Sequence, residues 1–360
     1  MDLAEVRRAV GAVGAPRLRR TLEGLGLVAS VEAAGEGTVR VTLDLPEGLT
    51  TAGELGAAVA EAGRLAGAAG TEVAVRPMDA AAQEALAARL RAGIPPRPGA
   101  AGSRTRVISI ASGKGGVGKS SVTANTAVAL ARRGHDVAVL DADVWGFSIP
   151  RMLGVQEPPA VIGGLIVPAA AYGVRIISMD FFVPPDQAVI WRGPMLHKAL
   201  EQFLDEVFWD EPEFLLLDLP PGTGDVPISL SQFVPGALTV VVTTPQPTAQ
   251  RVARRAALMA AKMEQEVAGV VENMSWFTGD DGRRYEIFGS GGGQALAEEL
   301  GVPLLGRVPL APAVREGADR GDPAVVAAPD SEAAAAFDEI AARLGDTRPR
   351  VRRRPELQVQ

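Results

Sequence analysis

Seven short apolar runs organise the chain from residue 106 onward. They are Arg106–Ala111, Val137–Leu140, Val174–Met179, Phe214–Leu217, Leu238–Thr243, Val267–Val271 and Leu304–Val308, and helix-length stretches separate most of them. A half-exposed strand alternates apolar and polar positions, whereas a strand buried on both faces reads as a continuous apolar run. Runs of this second kind alternating with helices predict an α/β fold with a mostly parallel sheet flanked by helices. Ligands of such sheets collect at the carboxyl ends of the strands. The polar residues directly after each run are therefore the ones to read for chemistry.

Residues 1–93 carry a different pattern, that of a small α/β domain. Asp2–Leu22 reads as helix interrupted by Gly11, Gly14 and Pro16. Leu27–Glu32 and Thr38–Leu45 read as two strands joined across the turn-rich Ala33–Gly37. Thr51, with Glu54 three residues on, resembles a capping box opening a helix through about Ala68. Thr71–Arg76 forms a third strand and Ala80–Arg91 a closing helix. No residue in this region has the setting of a catalytic group. Residues 94–104, Ile-Pro-Pro-Arg-Pro-Gly-Ala-Ala-Gly-Ser-Arg, form a linker, because their prolines and glycines continue neither a helix nor a central strand. The main α/β domain then spans 105–345. The tail, 346–360, is rich in arginine and proline and reads as disordered.

The segment after the first run of the main domain carries the strongest chemical signal. Gly113-Lys114-Gly115-Gly116-Val117-Gly118-Lys119-Ser120-Ser121 fits the phosphate-binding pattern G-x-x-x-x-G-K-[ST]. A strand leads into it and a helical stretch, Ser120 to Arg133, leads out. Glycines let backbone N–H groups approach phosphates, and a helix start adds favourable partial charge. Lys119 is expected to reach the β- and γ-phosphates of ATP, and the Ser120 hydroxyl to bind Mg²⁺. Two later runs end in carboxylates, at Asp141-Ala142-Asp143 and at Asp218, which Leu-Pro-Pro-Gly-Thr-Gly and Asp225 follow. One aspartate after a strand is ordinarily a helix cap. Three phosphate-site elements in the expected order favour Asp218 as an Mg²⁺ carboxylate and Asp143 as the group that orients the attacking water.

Composition narrows the alternatives. The 360 residues carry 36 basic and 43 acidic side chains, a net charge of −7, which argues against a general nucleic-acid binder. No apolar run approaches the ~20 residues a membrane-spanning helix needs, and the mixed Met1–Arg8 does not read as a signal peptide. The expectation is a cytoplasmic protein with no membrane partner. Cysteine is absent from the sequence, which excludes disulfides, thiolate catalysis and thiolate metal sites, and only two histidines occur, His135 and His197.

Lys114 together with Lys119 resembles the deviant phosphate loop of the MinD/ParA-type ATPases. Further stretches resemble one subfamily, the Mrp/ApbC iron–sulfur carrier ATPases. They are residues 141–150 (Asp-Ala-Asp-Val-Trp-Gly-Phe-Ser-Ile-Pro), Trp191-Arg-Gly-Pro194, Asp218–Asp225, Thr244-Pro-Gln246, Glu272-Asn-Met-Ser275 and Ile287-Phe-Gly289. The match covers roughly residues 105–345, and the region ahead of it resembles a small α/β domain often fused to this ATPase. The resemblance implies a homodimer with ATP between protomers, with Lys114 crossing to the partner's nucleotide. It implies that Asn273 reads adenine, and that Val144–Pro150 and Pro220–Asp225 switch with nucleotide state. It further implies a bridging [4Fe–4S] cluster and client apoproteins that receive it.

Two features depart from that family pattern. Members that carry a cluster place Cys-x-x-Cys shortly after Glu-Asn-Met-Ser, where this chain reads Trp276-Phe-Thr-Gly-Asp-Asp-Gly-Arg-Arg-Tyr-Glu286. Gly279-Asp280-Asp281-Gly282 there reads as a tight hairpin turn, so no iron–sulfur ligand is assigned. Trp276, Phe277 and Tyr285 read as a hairpin packed on its own core, with a partner contact as the alternative. Pro247 and Val252 also stand where many members are acidic. The expected activity is ATP hydrolysis in the service of iron–sulfur protein assembly. The rival is a MinD/ParA-like spatial organiser or ATP-switched scaffold without a cluster. A tyrosine autokinase is set aside, since Tyr172 and Tyr285 are the only tyrosines.

Overall fold

The computed structural model describes residues 2–15, 17–49, 52–183 and 193–347, and divides into two compact units. The expected cap at Thr51, Pro16, Trp191 and Arg192 of the Trp191–Pro194 stretch, and the tail beyond Thr347 lie outside the described residues.

The first unit comprises Met1–Arg97 with Val155–Ala170 and Gln202–Glu211. Its sheet has the order β1 (Val28–Gly35), β2 (Thr38–Leu45), β3 (Gly70–Pro77), antiparallel between β1 and β2 and parallel between β2 and β3. Strand β2 shows why it is a strand. Val39, Val41, Leu43 and Leu45 are buried on one face, while Arg40 and Asp44 on the other pair with Glu72 and Arg76 directly across the ladder. Helices α1 (Leu3–Gly11) and α3 (Ala80–Arg91) turn Val6, Val10, Leu86 and Leu90 into the same core, and α2 (Ala52–Leu65) adds Leu55 and Val59. The alternation of strands and helices assigned 155–170 and 202–211 to the main domain. In the structure Ala160, Ile162, Leu165, Val167 and Phe208 belong to the core of the first unit. Ala160–Ile162 pairs antiparallel with Leu165–Val167, and Arg17 fastens this hairpin, donating from Nε to the carbonyl of Pro168 at 2.7 Å and from one terminal nitrogen to Pro158 and Val167 at 3.0 Å each.

The second unit holds all seven apolar runs as strands: β4 (Arg106–Ser112), β5 (Val137–Asp141), β6 (Val174–Ser178), β7 (Phe214–Asp218), β8 (Leu238–Thr243), β9 (Glu266–Glu272) and β10 (Leu304–Arg307). They lie in the order β6-β5-β7-β4-β8-β9-β10, and each neighbouring pair is parallel. The mostly parallel α/β sheet expected from the runs is therefore present. Strands β5 and β7 are buried along their whole length, which is the reason their sequences are apolar throughout. Register matters for function: Asp218 at the end of β7 pairs with Asp141 at the end of β5, so two carboxylates leave the sheet side by side.

Helix α4 (Lys119–Arg132) follows β4 and is buried nearly all round, at Val122, Ala124, Ala127, Val128 and Leu130 among others. Helix α9 (Glu332–Asp346) covers it with Phe337, Ile340, Ala341 and Leu344. Between them in the chain lie, among other helices, α5 (Asp225–Phe233), α6 (Pro247–Lys262), α7 (Gly292–Leu300) and α8 (Pro312–Arg320). The Phe337 ring is fully buried. Phe337→Ala should lower unfolding free energy by about 3–5 kcal/mol, through lost burial and a residual cavity. Urea denaturation of the two proteins checks this, and a loss below about 1 kcal/mol would mean that α9 is not part of the cooperative core.

Candidate functional site

The phosphate-type loop runs from the end of β4 into α4, and its backbone is fixed by what surrounds it. Gly113 lies so close to α6 that a Cβ there would fall 2.1 Å from the Val252 carbonyl carbon. Only glycine fits. Gly118 takes a left-handed conformation with φ +80°, and a Cβ on it would meet the Asn273 side-chain nitrogen at 2.2 Å. That nitrogen donates to the Val117 carbonyl at 2.9 Å, and the Asn273 backbone N–H donates to Thr243 at 2.8 Å. Asn273 is thus buried beneath the loop and braces it. One donor of the amide that the resemblance assigns to adenine is engaged with the loop's own backbone.

Above the loop lies a cavity of about 230 Å³, lined by Ser112, residues 114–121, Asp143, Gly146, Ser148 and Pro221 among others. It opens at the carboxyl ends of the strands. Every loop residue singled out in the sequence from Lys114 to Ser121 borders it. Gly113 forms the anchored end and does not line it.

Asp218 is the centre of the polar network. It is fully buried, and one carboxylate oxygen lies 2.7 Å from Lys119 Nζ and accepts the Ser120 hydroxyl at 2.6 Å. The other oxygen accepts the Thr123 hydroxyl at 2.6 Å. Thr123 was not read from the sequence. Its signal was its place one turn beyond Lys119, which puts both side chains on one face of α4. Lys119 Nζ also lies 3.4 Å from Asp143, joining the two acidic strand ends.

Asp143 and Asp141 have different tasks. One oxygen of Asp143 is buried without a hydrogen-bond partner, and the residue lines the cavity. Burial raises its pKa, partly opposed by Lys119. Asp141 is fully buried and accepts four hydrogen bonds: the Asp143 N–H at 3.2 Å, the Ser148 and Ile149 N–H groups at 3.2 and 3.3 Å, and the Ser178 hydroxyl at 3.1 Å. It therefore clasps both ends of the loop that carries Asp143. Ser178 was legible only through register, since it pairs with Asp141 across β5 and β6.

Ser120 and Asp218 offer a hydroxyl and a carboxylate oxygen 2.6 Å apart beside the cavity. Hard oxygen donors of this kind suit Mg²⁺. Asp143 lines the same cavity and adds a further carboxylate to the set, so the residues fit a magnesium nucleotide. Lys114 lines the cavity too, and its Nζ donates to Gln246 Oε1 at 3.3 Å. Asp225 opens α5 and is not among the residues bordering the cavity.

The stretch after Asn273 folds as the hairpin expected from Gly279–Gly282. Phe277–Thr278 pairs antiparallel with Arg284–Tyr285, and Gly282 takes φ +75°. Glu332 at the start of α9 closes it, accepting from Trp276 Nε1 at 3.1 Å, Thr278 Oγ1 at 2.6 Å and Arg284 at 2.7 Å. Arg284 also stacks 4.3 Å from the Trp276 ring centre. These donors hold the Glu332 carboxyl low, at about 2.

A glycine-bearing loop between a central parallel strand and a helix, with acidic ends on the adjacent strands, defines a P-loop NTPase. A family profile described as the ParA group, NUBPL iron-transfer P-loop NTPase, matches residues 103–345, and the chain belongs to that family. It is 44% identical over 356 residues to an iron-sulfur cluster carrier protein of Mycobacterium tuberculosis, covering 96% of this chain and 93% of that one. It is 50% identical over 204 residues to the protein of the same name from Bacillus subtilis, covering 56% and 58%. Among solved structures it resembles a nucleotide-binding protein from Archaeoglobus fulgidus in complex with ADP, with TM-score 0.56 and 33% identity over 65% of this chain and 93% of that one. It also resembles the cell division ATPase MinD of Pyrococcus furiosus, with TM-score 0.52 and 26% identity over 67% and 98%.

The electrostatics give a pH prediction. Burial, and then the negative charge of Asp218, push Asp141 from an ordinary 3.8 up to about 7. A carboxyl raised in the folded state binds its proton more tightly folded than unfolded. Its contribution to stability is present at low pH and is lost as pH rises through the folded value. Stability of the nucleotide-free protein relative to Asp141→Asn should therefore fall between about pH 4 and 7 and level off above. Denaturation midpoints of both proteins across that range check it, and parallel profiles would rule out the shift.

Proposed function

We propose that the chain is an ATPase acting in iron–sulfur cluster assembly or transfer to apoproteins. The observation that carries the reading is the meeting of Lys119, Ser120 and Asp143 at one cavity on the carboxyl edge of the sheet, with Asp218 buried behind them and bonded to Lys119 and Ser120. The relatives named iron-sulfur cluster carrier protein support the destination of the energy, and family membership supports the nucleotide chemistry.

In this reading the backbone N–H groups of the loop and the start of α4 receive the phosphates. Lys119 leaves Asp218 for the β- and γ-phosphates, and Ser120 and Asp218 hold magnesium. When bound, the ion neutralises charge building on the phosphoryl oxygens. Asp143, which lines the same cavity, orients a water for attack at the γ-phosphorus and accepts its proton, giving ADP and phosphate. Asp141 keeps Asp143 in place. The Val144–Pro150 and Pro220–Asp225 segments are the pieces that nucleotide state moves. Asn273 supports the loop from below. Lys114, restrained here by Gln246, swings to the partner's nucleotide in an ATP-bound homodimer. The working compartment is the cytoplasm, and the partners are a second copy of the chain and apoproteins awaiting clusters.

Lys119→Ala should abolish measurable nucleotide binding. Truncating one partner of a buried charge pair costs about 2–5 kcal/mol, a loss of at least about thirtyfold in affinity. Equilibrium binding of a fluorescent ATP analogue decides it, and unchanged affinity would sink the site. A contrasting result is expected for Lys114→Ala: near-normal nucleotide affinity, with loss of the ATP-dependent dimer in analytical ultracentrifugation. An intact dimer would remove Lys114 from the interface.

A further inference from the structure

Resting on the iron–sulfur reading above, we infer that this chain serves clusters without ligating them: the thiolates come from another molecule, and the Trp276–Tyr285 hairpin is a metal-free element closed by Glu332. The first observation is chemical. Fe–S clusters are held chiefly by cysteine thiolates, and the 360 residues contain no cysteine. Histidine does not compensate. Only two occur, and they lie far apart in the sequence, His135 beside Glu213 and His197 beside Ser229. Among the described residues no cluster of three or more histidines and carboxylates is arranged to hold a metal ion. The residues do not fit the cluster.

The second observation is what the hairpin does with its own polar groups. Asp281, a carboxylate at the turn, accepts the Arg283 N–H at 3.0 Å and the Tyr285 hydroxyl at 2.8 Å. Gly279 N–H donates to Arg283 at 2.9 Å, closing the turn through its backbone. The base is fixed by the three donors to Glu332 and by Arg284 lying over Trp276. A short excursion needing a metal to hold its shape leaves ligands converging on an empty centre. Here the side chains converge on a carboxylate of α9 instead. Hard oxygen groups already spent on internal hydrogen bonds are also poor ligands for soft iron–sulfide units.

The test is anaerobic reconstitution of the full chain with ferrous iron and sulfide, using a phosphine reductant so that no thiol is present. Parallel arms contain glutathione or a Cys-x-x-Cys peptide. Iron, acid-labile sulfide and visible absorbance are read after gel filtration, and nucleotide binding is measured on each sample. The expected result is no chromophore on the chain without thiol, and a chromophore co-eluting with it in a thiol-containing arm. Retention only with glutathione identifies a small-molecule source, and retention only with the peptide a protein source. Stoichiometric cluster without thiol overturns the inference, and no chromophore in any arm overturns the supplied-ligand part. Lost nucleotide binding would instead count against the ATPase reading, so the two failures are distinguishable. For the hairpin, Glu332→Gln should increase protease cutting within residues 278–284, equally with and without iron. Arg284→Ala serves the same purpose if that variant does not fold. Protection of the hairpin by iron would overturn the metal-free assignment.

Discussion

The structure of the site depends on one buried charge, that of Asp218. A carboxylate with no solvent contact costs several kcal/mol to desolvate unless it is paired and hydrogen-bonded. Three groups from one helix meet that requirement: the Lys119 ammonium and the Ser120 and Thr123 hydroxyls. Because all three sit in the first turns of α4, satisfying Asp218 fixes where the helix begins relative to β7. The start of the helix in turn fixes the loop, since Gly113 is pinned against α6 and Gly118 against Asn273. Stability and phosphate-site geometry are thus set by the same contacts.

Parallel register then brings Asp141 beside Asp218, and the arrangement carries an electrostatic load. Asp141, Asp143 and Asp218 surround a single ammonium, and burial and mutual repulsion raise the pKa of Asp141 and Asp143. Such crowding is tolerated where it is used. In the proposed function, a nucleotide drawing Lys119 toward its phosphates would remove the neutralising charge from the carboxylates, and magnesium held by Ser120 and Asp218 would supply positive charge there.

Much of this was legible in the sequence for physical reasons. Seven apolar runs became seven buried parallel strands because continuous apolarity has few other outlets in a folded chain. The loop was legible because its glycines meet steric demands that no other residue satisfies, and Asp141, Asp143 and Asp218 because strand ends are where polar groups must emerge. What escaped reading depends on contacts distant in sequence. Glu332 reaches Trp276, Thr278 and Arg284 across 48 to 56 residues. Arg17 fastens a hairpin some 150 residues away, which is why 155–170 reads as part of the ATPase region yet packs with the amino-terminal unit. Asn273 was assigned to adenine by resemblance, whereas its bond to the Val117 carbonyl, 156 residues away in sequence, was not visible. An amide at a strand end reads equally as a ligand contact or a brace until its neighbours are known.

That brace also joins the two halves of the proposed function. Asn273 holds the Val117 carbonyl on one side, and two residues later Ser275 is locked by donating to the Glu272 backbone and carboxylate. Between them Met274 takes a left-handed φ of 57°, an uncommon conformation for a residue with a side chain. Glu272 itself is fully buried and accepts from Gly293 N–H and Arg307, so the end of β9 cannot drift. The hairpin starts at the next residue, Trp276, whose carbonyl accepts from Leu310 at 2.7 Å. A displacement of the phosphate loop at Val117 is therefore met first by Asn273, and Asn273 is three residues from the hairpin base. A run of hydrogen bonds thus joins the phosphate loop to the base of the hairpin in a chain without thiolates.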